Sequence, residues 1–228
     1  MLIGSLINAA VILAGGSLGL LFKGRINKKI SGSVTRVIGL CVCIIGISGA
    51  LEGDFMLLVV SLVLGSFTGE LLNIDGGLNK LGLWLQKKLT RGNGGSDFAE
   101  GFVAATLLFC VGAMAIIGSI ESGLRGERSI IFTKSIIDGV SAMIFASSFG
   151  LGVLFSAAAV FIYQGSIEFF AGYLQSILTG ELITQISAAG SIMILGIGLN
   201  MTIKAEIKVA NLLPGLLFAA GYYNLILV

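Results

Sequence analysis

The stretch Phe98–Gly150 decides the fold, and it reads FAEGFVAATLLFCVGAMAIIGSIESGLRGERSIIFTKSIIDGVSAMIFASSFG. It consists of two apolar segments separated by a charged loop. Glu100 stands near the start of the first segment, and Asp138 lies within the second. An acidic residue inside a membrane span costs about 2.5–3.5 kcal/mol, so its presence there usually has a functional reason. We therefore expect the rest of the chain to build a membrane protein around this stretch.

The composition places the whole chain in the same class. Hydrophobic residues make up 56% of the 228 residues, charged residues make up 11%, and the mean hydropathy is +1.02. Soluble domains carry about 25% charged residues. The predicted fold class is therefore all-α, a polytopic integral membrane protein with seven or eight transmembrane helices.

Residue types that enzymes use are scarce. The chain has no histidine, which excludes histidine-based catalytic triads and histidine proton relays. Cys41, Cys43 and Cys110 stand in apolar runs, where we expect them to pack as small apolar side chains and not to form disulfides or a metal site. Because no phosphate loop, kinase signature or zinc spacing is present, we expect neither enzyme activity nor a cofactor.

Eight apolar runs follow one another along the chain. A helix needs about 17–25 residues to cross a bilayer, and the fifth and seventh runs are short by this measure. Each of these two is predicted to be re-entrant or to be the tilted partner of a broken helix. The runs are Leu2–Phe22, Val34–Leu51, Phe55–Leu72, Phe98–Ile120, Ser135–Phe149, Leu151–Leu174, Ile186–Met201 and Leu212–Val228.

The basic residues predict the orientation. They are concentrated in the loops after runs one, three and seven, and cytoplasmic loops of membrane proteins are enriched in lysine and arginine. The N-terminus is therefore predicted to lie outside the cell. The basic residues left on the outer side are Arg125, Arg128 and Lys134.

The segment Ile74–Arg91 differs from the apolar runs. Its leucines recur at steps of three and four residues, which predicts an amphipathic helix on the cytoplasmic membrane face, with Trp84, Lys87 and Lys88 at headgroup level. The alternative is a helix that simply covers protein. The glycine-rich residues 92–96 follow, so we interpret residues 74–97 as a linker region.

An internal repeat is suggested by residues that match at one offset of 100. Residues 1–73 and 98–178 would then hold three spans each, and residues 179–228 would add two. An odd number of spans places the second copy upside down, as in many secondary transporters. Glycine and serine are common in this chain, so chance agreement stays open. The first members of the matching pairs are Gly39, Ser48, Phe55, Gly65 and Ser66.

Asp138 is the first candidate for a functional residue. It is predicted to be a coupling-ion or proton site within the membrane, or else an interfacial acid paired with Lys134 one turn earlier. Glu121 follows Gly118 and Ser119, where an unwound helix would offer backbone carbonyls to a cation or polar solute. The alternative for Glu121 is a loop acid beside Arg125.

Further acids and one amide complete the predicted path. Glu168, preceded by Gln164, lies deep in run six, and Glu70 ends run three. Asn200 ends the GIGLN segment, where it could cap a broken helix or face a cavity. Glu100 either lines the path or merely favours a helix N-terminus. The glycine-rich Gly15–Gly19 predicts close helix packing and not a phosphate loop.

Several segments resemble a family of bacterial inner-membrane proteins of the YqgA/YdfK type, a family defined by a domain of unknown function. They are NAAVILAGGSLGL near the N-terminus, LLFCVGAMAIIGSIESGL at Leu107–Leu124, KSIIDG at Lys134–Gly139, GIGLN at Gly196–Asn200 and VANLLPGLL at Val209–Leu217. The resemblance covers nearly the whole chain. It implies a multi-pass protein of the bacterial plasma membrane and brings no substrate with it.

These features together predict a secondary transporter of a small solute or ion, built on inverted repeats with a polar site near the membrane midplane. The chain is small for a stand-alone carrier, so a homodimer in the lipid bilayer is expected. Two alternatives stay open. One is a passive channel, and the other is a membrane scaffold or partner subunit that does not transport.

Overall fold

A computed structural model describes residues 2–23, 28–89 and 97–223, with side chains described for all of these except 28–31, 34, 81, 82, 85–89 and 97. Within these ranges the regular structure is entirely helical, so the predicted all-α class is confirmed. A short 3₁₀ helix, Val209–Leu212, precedes the last α-helix. The α-helices in chain order are α1 (Ile3–Phe22), α2 (Lys28–Ala50), α3 (Phe55–Leu72), α4 (Ile74–Leu89), α5 (Asp97–Cys110), α6 (Ala113–Arg125), α7 (Ser129–Phe149), α8 (Leu151–Phe169), α9 (Ala171–Leu174), α10 (Gly180–Ile203) and α11 (Pro214–Tyr222).

In the described part of the chain, five helices are long and apolar enough to cross a membrane, namely α1, α3, α7, α8 and α10. Helices α5 and α6 qualify together as a sixth span that is bent by 61°. Two shorter apolar helical segments, Thr35–Ala50 and Val209–Tyr222, correspond to the second and eighth runs. Each predicted apolar run thus coincides with a helix or with the bent pair, which confirms a polytopic membrane fold.

The fifth and seventh runs form longer helices than their hydropathy predicts. Helix α7 has 21 residues and α10 has 24, so the prediction that these runs are short was wrong. Both helices extend toward their N-termini through polar residues that the apolar runs leave out. For α10 the start is set by Thr179, whose hydroxyl oxygen accepts a 3.2 Å hydrogen bond from the Leu182 N–H. Polar residues in the first turns lower the local hydropathy, so a hydropathy pattern places the start of each helix too late although the helical hydrogen bonding has already begun.

The chain divides into two compact units, each assembled from separate stretches of sequence. Unit 1 contains residues 1–28 and 79–178, and unit 2 contains residues 29–78 and 179–228. Helix α1 therefore packs with α5–α9, although the repeat predicted over residues 1–73 groups it with α2 and α3. The boundaries of the proposed repeat stay a prediction.

The closest helix pair of unit 1 is α1 against α7, and small residues make it possible. A side chain at Gly15 would meet the Gly139 carbonyl, and one at Gly19 would meet the Met143 carbonyl. Gly139 in turn leaves room for Val11. The contacts move forward along both helices, from Gly15 and Gly139 to Gly19 and Met143, so α1 and α7 run parallel. The prediction that Gly15–Gly19 serves helix packing is confirmed.

The bent pair α5–α6 crosses unit 1 once, alongside α8. The Phe98 ring lies 5.5 Å from the Phe155 ring near the start of α8, and Gly123 packs against the Glu168 backbone at its end. Because the pair follows α8 from one end to the other, it is one bent span and not a re-entrant loop.

The break in this span lies earlier than the sequence suggested. It falls at Gly112, whose φ of +129° suits glycine, whereas Gly118 and Ser119 are inside the continuous helix α6. Gly118 faces Ile130 and Ile131 at close range. The small residues there serve packing, so the predicted unwinding at Gly118–Ser119 was wrong.

Unit 2 is held together by the same kind of close contact. Gly46 of α2 meets the Leu195 backbone of α10, and Gly65 of α3 meets the Gly215 backbone of α11. Helix α10 is unbroken over Gly180–Ile203. The predicted break in the GIGLN segment of run seven is therefore absent. Its glycines instead leave room for neighbouring segments, since Gly198 meets Cys43 of α2 and Gly196 meets Val209.

The α1–α7 contact predicts a stability effect. We expect Gly15→Ala to lower the free energy of unfolding by about 1–3 kcal/mol, because the added methyl group would collide with the Gly139 carbonyl. Reversible denaturation in mixed micelles measures this change.

The matched control is Gly221→Ala in α11, where an added Cβ meets no atom within 4 Å. That variant should be unchanged or about 0.5–1 kcal/mol more stable, as for glycine in a helix interior. Equal destabilisation of both variants would contradict the packing account.

Candidate membrane-embedded site

A cluster of polar side chains is buried between α1, α7 and α8 of unit 1, and we call Asn8, Lys134, Asp138 and Gln164 the central polar cluster. The Asn8 amide nitrogen donates to Asp138 Oδ2 at 2.9 Å and to Gln164 Oε1 at 2.9 Å. Asn8 and Gln164 are fully buried. One amide from the first helix thus joins groups that lie more than a hundred residues away in sequence.

Lys134 and Asp138 form an ion pair one helical turn apart, as predicted from their spacing. The Lys134 ammonium donates to the same Oδ2 atom that accepts from Asn8. Lys134 is 5% exposed and Asp138 is 6% exposed, and Asp138 stands near the middle of α7. Removing one partner of such a pair would leave a buried charge without compensation, which is strongly unfavourable.

The central polar cluster has unused hydrogen-bonding capacity. Among the described residues, Asn8 Oδ1 and Gln164 Nε2 are buried and have no hydrogen-bond partner. Buried polar atoms are normally satisfied by protein or by ordered water. One unused acceptor and one unused donor beside an ion pair give the cluster the means to hold a water molecule or a small polar ligand.

Glu168 lies farther along α8 and holds the N-terminus of α1. Its carboxylate accepts from the Ser5 N–H at 3.2 Å and from the Ser5 hydroxyl at 3.0 Å. The residue is 1% exposed, and Gly4 leaves space for its carboxylate and for the Ser122 hydroxyl. A helix N-terminus has free N–H groups and a positive dipole end, which compensate the carboxylate. The structure therefore gives Glu168 an anchoring role for α1.

The break between α5 and α6 lies beside the ion pair. Gly101 of α5 meets Phe149 at the end of α7, and Gly118 of α6 meets Ile130 and Ile131 near its start, so the break between α5 and α6 faces the middle of α7. The break leaves carbonyl groups at the end of α5 and N–H groups at the start of α6 without partners in their own helices. Such broken spans next to charged side chains are a recurring feature of transporter sites.

The other predicted residues of unit 1 lie apart from the cluster. Glu121 pairs with Arg125 at 3.3 Å on the partly exposed side of α6, which matches the alternative prediction for Glu121 except that the residue is helical. Ser119 donates to the Ala115 carbonyl at 2.7 Å. Glu100 is exposed in the first turn of α5.

Two predicted residues belong to unit 2. The Asn200 side chain bonds both backbone groups of Ile207 at 2.8 Å and so closes the loop after α10. Glu70 accepts from Lys208 and from Asn211. The hydrogen bond to Glu70 raises the pKa of the exposed Lys208 ammonium. Asn211 also accepts from the Asp75 N–H at 2.8 Å, so this group fixes the start of α4.

The helix predicted over Ile74–Arg91 from the leucine spacing is confirmed, and it is α4. Trp84 is 55% exposed, as an anchor at a membrane surface would be. Lys87 and Lys88 fall outside the described side chains. In the part of the chain with described side chains, no three cysteines, aspartates or glutamates lie together as metal ligands would.

Sequence reasoning missed Asn8 and Ser5 as parts of the site. Both are polar residues in the mostly apolar helix α1, three positions apart and therefore on one face. Gln164 and Glu168 are four positions apart on α8 and face them. Searching every span for polar residues at this spacing would have found both pairs, but it could not have shown that they meet.

Comparison with known proteins gives the family. The family model described as "Protein of unknown function (DUF554)" matches residues 3–224. The chain is 32% identical to "Uncharacterized membrane protein YdfK" of Bacillus subtilis (strain 168), over 94% of this chain and 92% of that protein. It is 31% identical to "Uncharacterized protein YqgA" of Escherichia coli (strain K12), over 96% and 95%. No solved structure shows significant similarity to it. The chain therefore belongs to the DUF554 family, which includes a protein named as a membrane protein.

Proposed function

We propose that this protein is a secondary transporter that couples movement of a small solute or ion to protons across the plasma membrane of a bacterium. One observation supports the proposal most strongly. The buried Lys134–Asp138 pair lies in a membrane-spanning helix beside a broken span. Intramembrane charges are costly and mark ion and substrate pathways in membrane proteins.

The chemistry of the central polar cluster favours a proton over a metal cation. Asp138 Oδ2 already contacts the Lys134 ammonium, and a metal ion at that oxygen would meet a like charge. A proton on Asp138 instead neutralises the carboxylate, which then no longer needs the positive charge of Lys134. Protonation frees Lys134 from the pair, and the freed ammonium then attracts an anionic or polar group of a solute.

The route to this cluster passes the break at Gly112. Backbone groups freed by the break supply hydrogen bonds for a polar solute, and the unused amide atoms of Asn8 and Gln164 supply two more. A change in how α6 packs on α8 would expose the cluster to one side and then to the other. The transporter is proposed to be a homodimer with inverted repeats.

The proposed orientation places the N-terminus outside. In that arrangement runs one and five cross in the same direction, and α1 and α7 do lie parallel. Runs one and six cross in opposite directions, and Ser5 and Gly16 of α1 meet Glu168 and Leu154 of α8 in reversed order. These directions are the ones that eight crossings produce, since an odd number of the three spans between runs one and five must then pass through the membrane.

A scaffold function is the second candidate, and exposed Leu83 and Trp84 on α4 favour it. A partner protein could bind there. A passive channel differs from the transporter in that its flux would neither saturate nor depend on protons.

The ion pair gives the first test. We expect Lys134→Met to lower the free energy of unfolding by about 3–5 kcal/mol, because it leaves the buried Asp138 carboxylate without its counter-charge. The double variant Lys134→Met/Asp138→Leu should recover most of that loss, since buried pairs can often be replaced by apolar residues. Denaturation in mixed micelles measures both values.

Proteoliposomes loaded with a pH-sensitive dye then measure function, with amino acids, carboxylates, sugars and inorganic ions added one at a time. We expect at least one compound to drive proton movement by the parent protein and by Lys80→Met, an exposed lysine of α4. The stable double variant should show none. Equal proton movement in the double variant, or none by the parent protein with any compound, would contradict the proposal.

The topology gives the second test. In a cysteine-free background, Glu127→Cys in the loop after α6 and Ala205→Cys in the loop after α10 are both exposed positions. A membrane-impermeant maleimide added to intact cells should label Glu127→Cys only, and permeabilised cells should show labelling of both. Labelling of both positions in intact cells, or of Ala205→Cys alone, would refute the proposed orientation.

A further inference from the structure

An apolar groove of about 480 Å³ runs along unit 1 between α1 and α8. Small residues make the space, and larger ones form its edges. Ala158 at its side is exposed, and so are Leu13 and Leu151. The residues that line it are Ala9, Leu13, Leu151, Leu154, Phe155, Ala157, Ala158 and Phe161.

A positive charge stands at one end of the groove. Lys23 follows the last turn of α1, and its aliphatic stem and ammonium lie against Gly150, the residue before Leu151. Gly150 has a φ of +84°, so a side chain there would be strained as well as crowded. Among the described residues, no carboxylate pairs with Lys23, which is exposed.

The end of the groove at Lys23 is the one proposed to face the cytoplasm, where the membrane surface carries anionic lipids. In the sequence, three more basic residues follow Lys23 within six positions, namely Arg25, Lys28 and Lys29. An apolar groove that begins beside an exposed lysine matches a ligand with one long apolar chain and an anionic head.

We propose that this groove binds an anionic phospholipid, with one acyl chain between α1 and α8 and the headgroup phosphate on Lys23. The site is separate from the central polar cluster, and it does not depend on whether the protein transports. A bound lipid would fill the space that the small residues leave and would tie the end of α1 to the α7–α8 turn.

Native mass spectrometry of the purified full-length protein tests this. The probes are dioleoyl-phosphatidylglycerol and dioleoyl-phosphatidylcholine, which share their chains and differ in head charge. We expect tighter binding of phosphatidylglycerol. Lys23→Gln should weaken that binding by about fivefold, as expected for one basic residue near an anionic headgroup, and should leave phosphatidylcholine unchanged.

Ala158→Phe tests the acyl-chain half of the site. It places a ring in the groove from an exposed position, so it should weaken binding of both lipids without disturbing the core. Ala10→Phe is the matched control, because Ala10 is exposed on α1 outside the groove. The proposal is overturned if Ala158→Phe leaves both affinities unchanged, if Ala10→Phe lowers them as much, or if Lys23→Gln affects both lipids equally.

Discussion

A charged pair buried in a membrane-spanning helix must be matched by polar groups from its neighbours, and unit 1 is arranged around that requirement. Lys134 and Asp138 neutralise each other within α7, and the Asp138 carboxylate accepts a hydrogen bond from a second donor as well. Asn8 supplies it from α1, and Gln164 holds Asn8 in place from α8. Loss of any one of these groups would leave the others buried with unpaired atoms, which is costly in a low-dielectric interior.

Helix α1 contacts both buried acids of unit 1, Asp138 of α7 and Glu168 of α8. Its glycines bring it against α7 closely enough for Asn8 to reach Asp138. At its N-terminus, Ser5 binds Glu168, so the buried carboxylate of α8 and the free N–H groups of α1 satisfy each other. The first helix in sequence is thus the one that completes a site built from later helices.

Local patterns in the sequence were enough to predict the helices and the Lys134–Asp138 pair, because hydropathy and one-turn spacing are short-range properties. The partners Asn8 and Gln164 could not be predicted, since their contacts join residues 130 and 156 positions apart. The break was placed wrongly for a physical reason. Runs of small residues mark both unwound segments and close helix contacts, and Gly118 proved to be a contact.

We propose that the broken span gives water and solute access to the Lys134–Asp138 pair. Cys110 ends α5 at the break, and Cys41 and Cys43 can be replaced by serine to leave it as the only thiol. A membrane-impermeant maleimide reacts with a thiolate in water and not with a thiol in a dry interior. If water reaches the pair through the break, Cys110 in the folded, membrane-inserted protein should be labelled from at least one side. Labelling that occurs only after denaturation would contradict it.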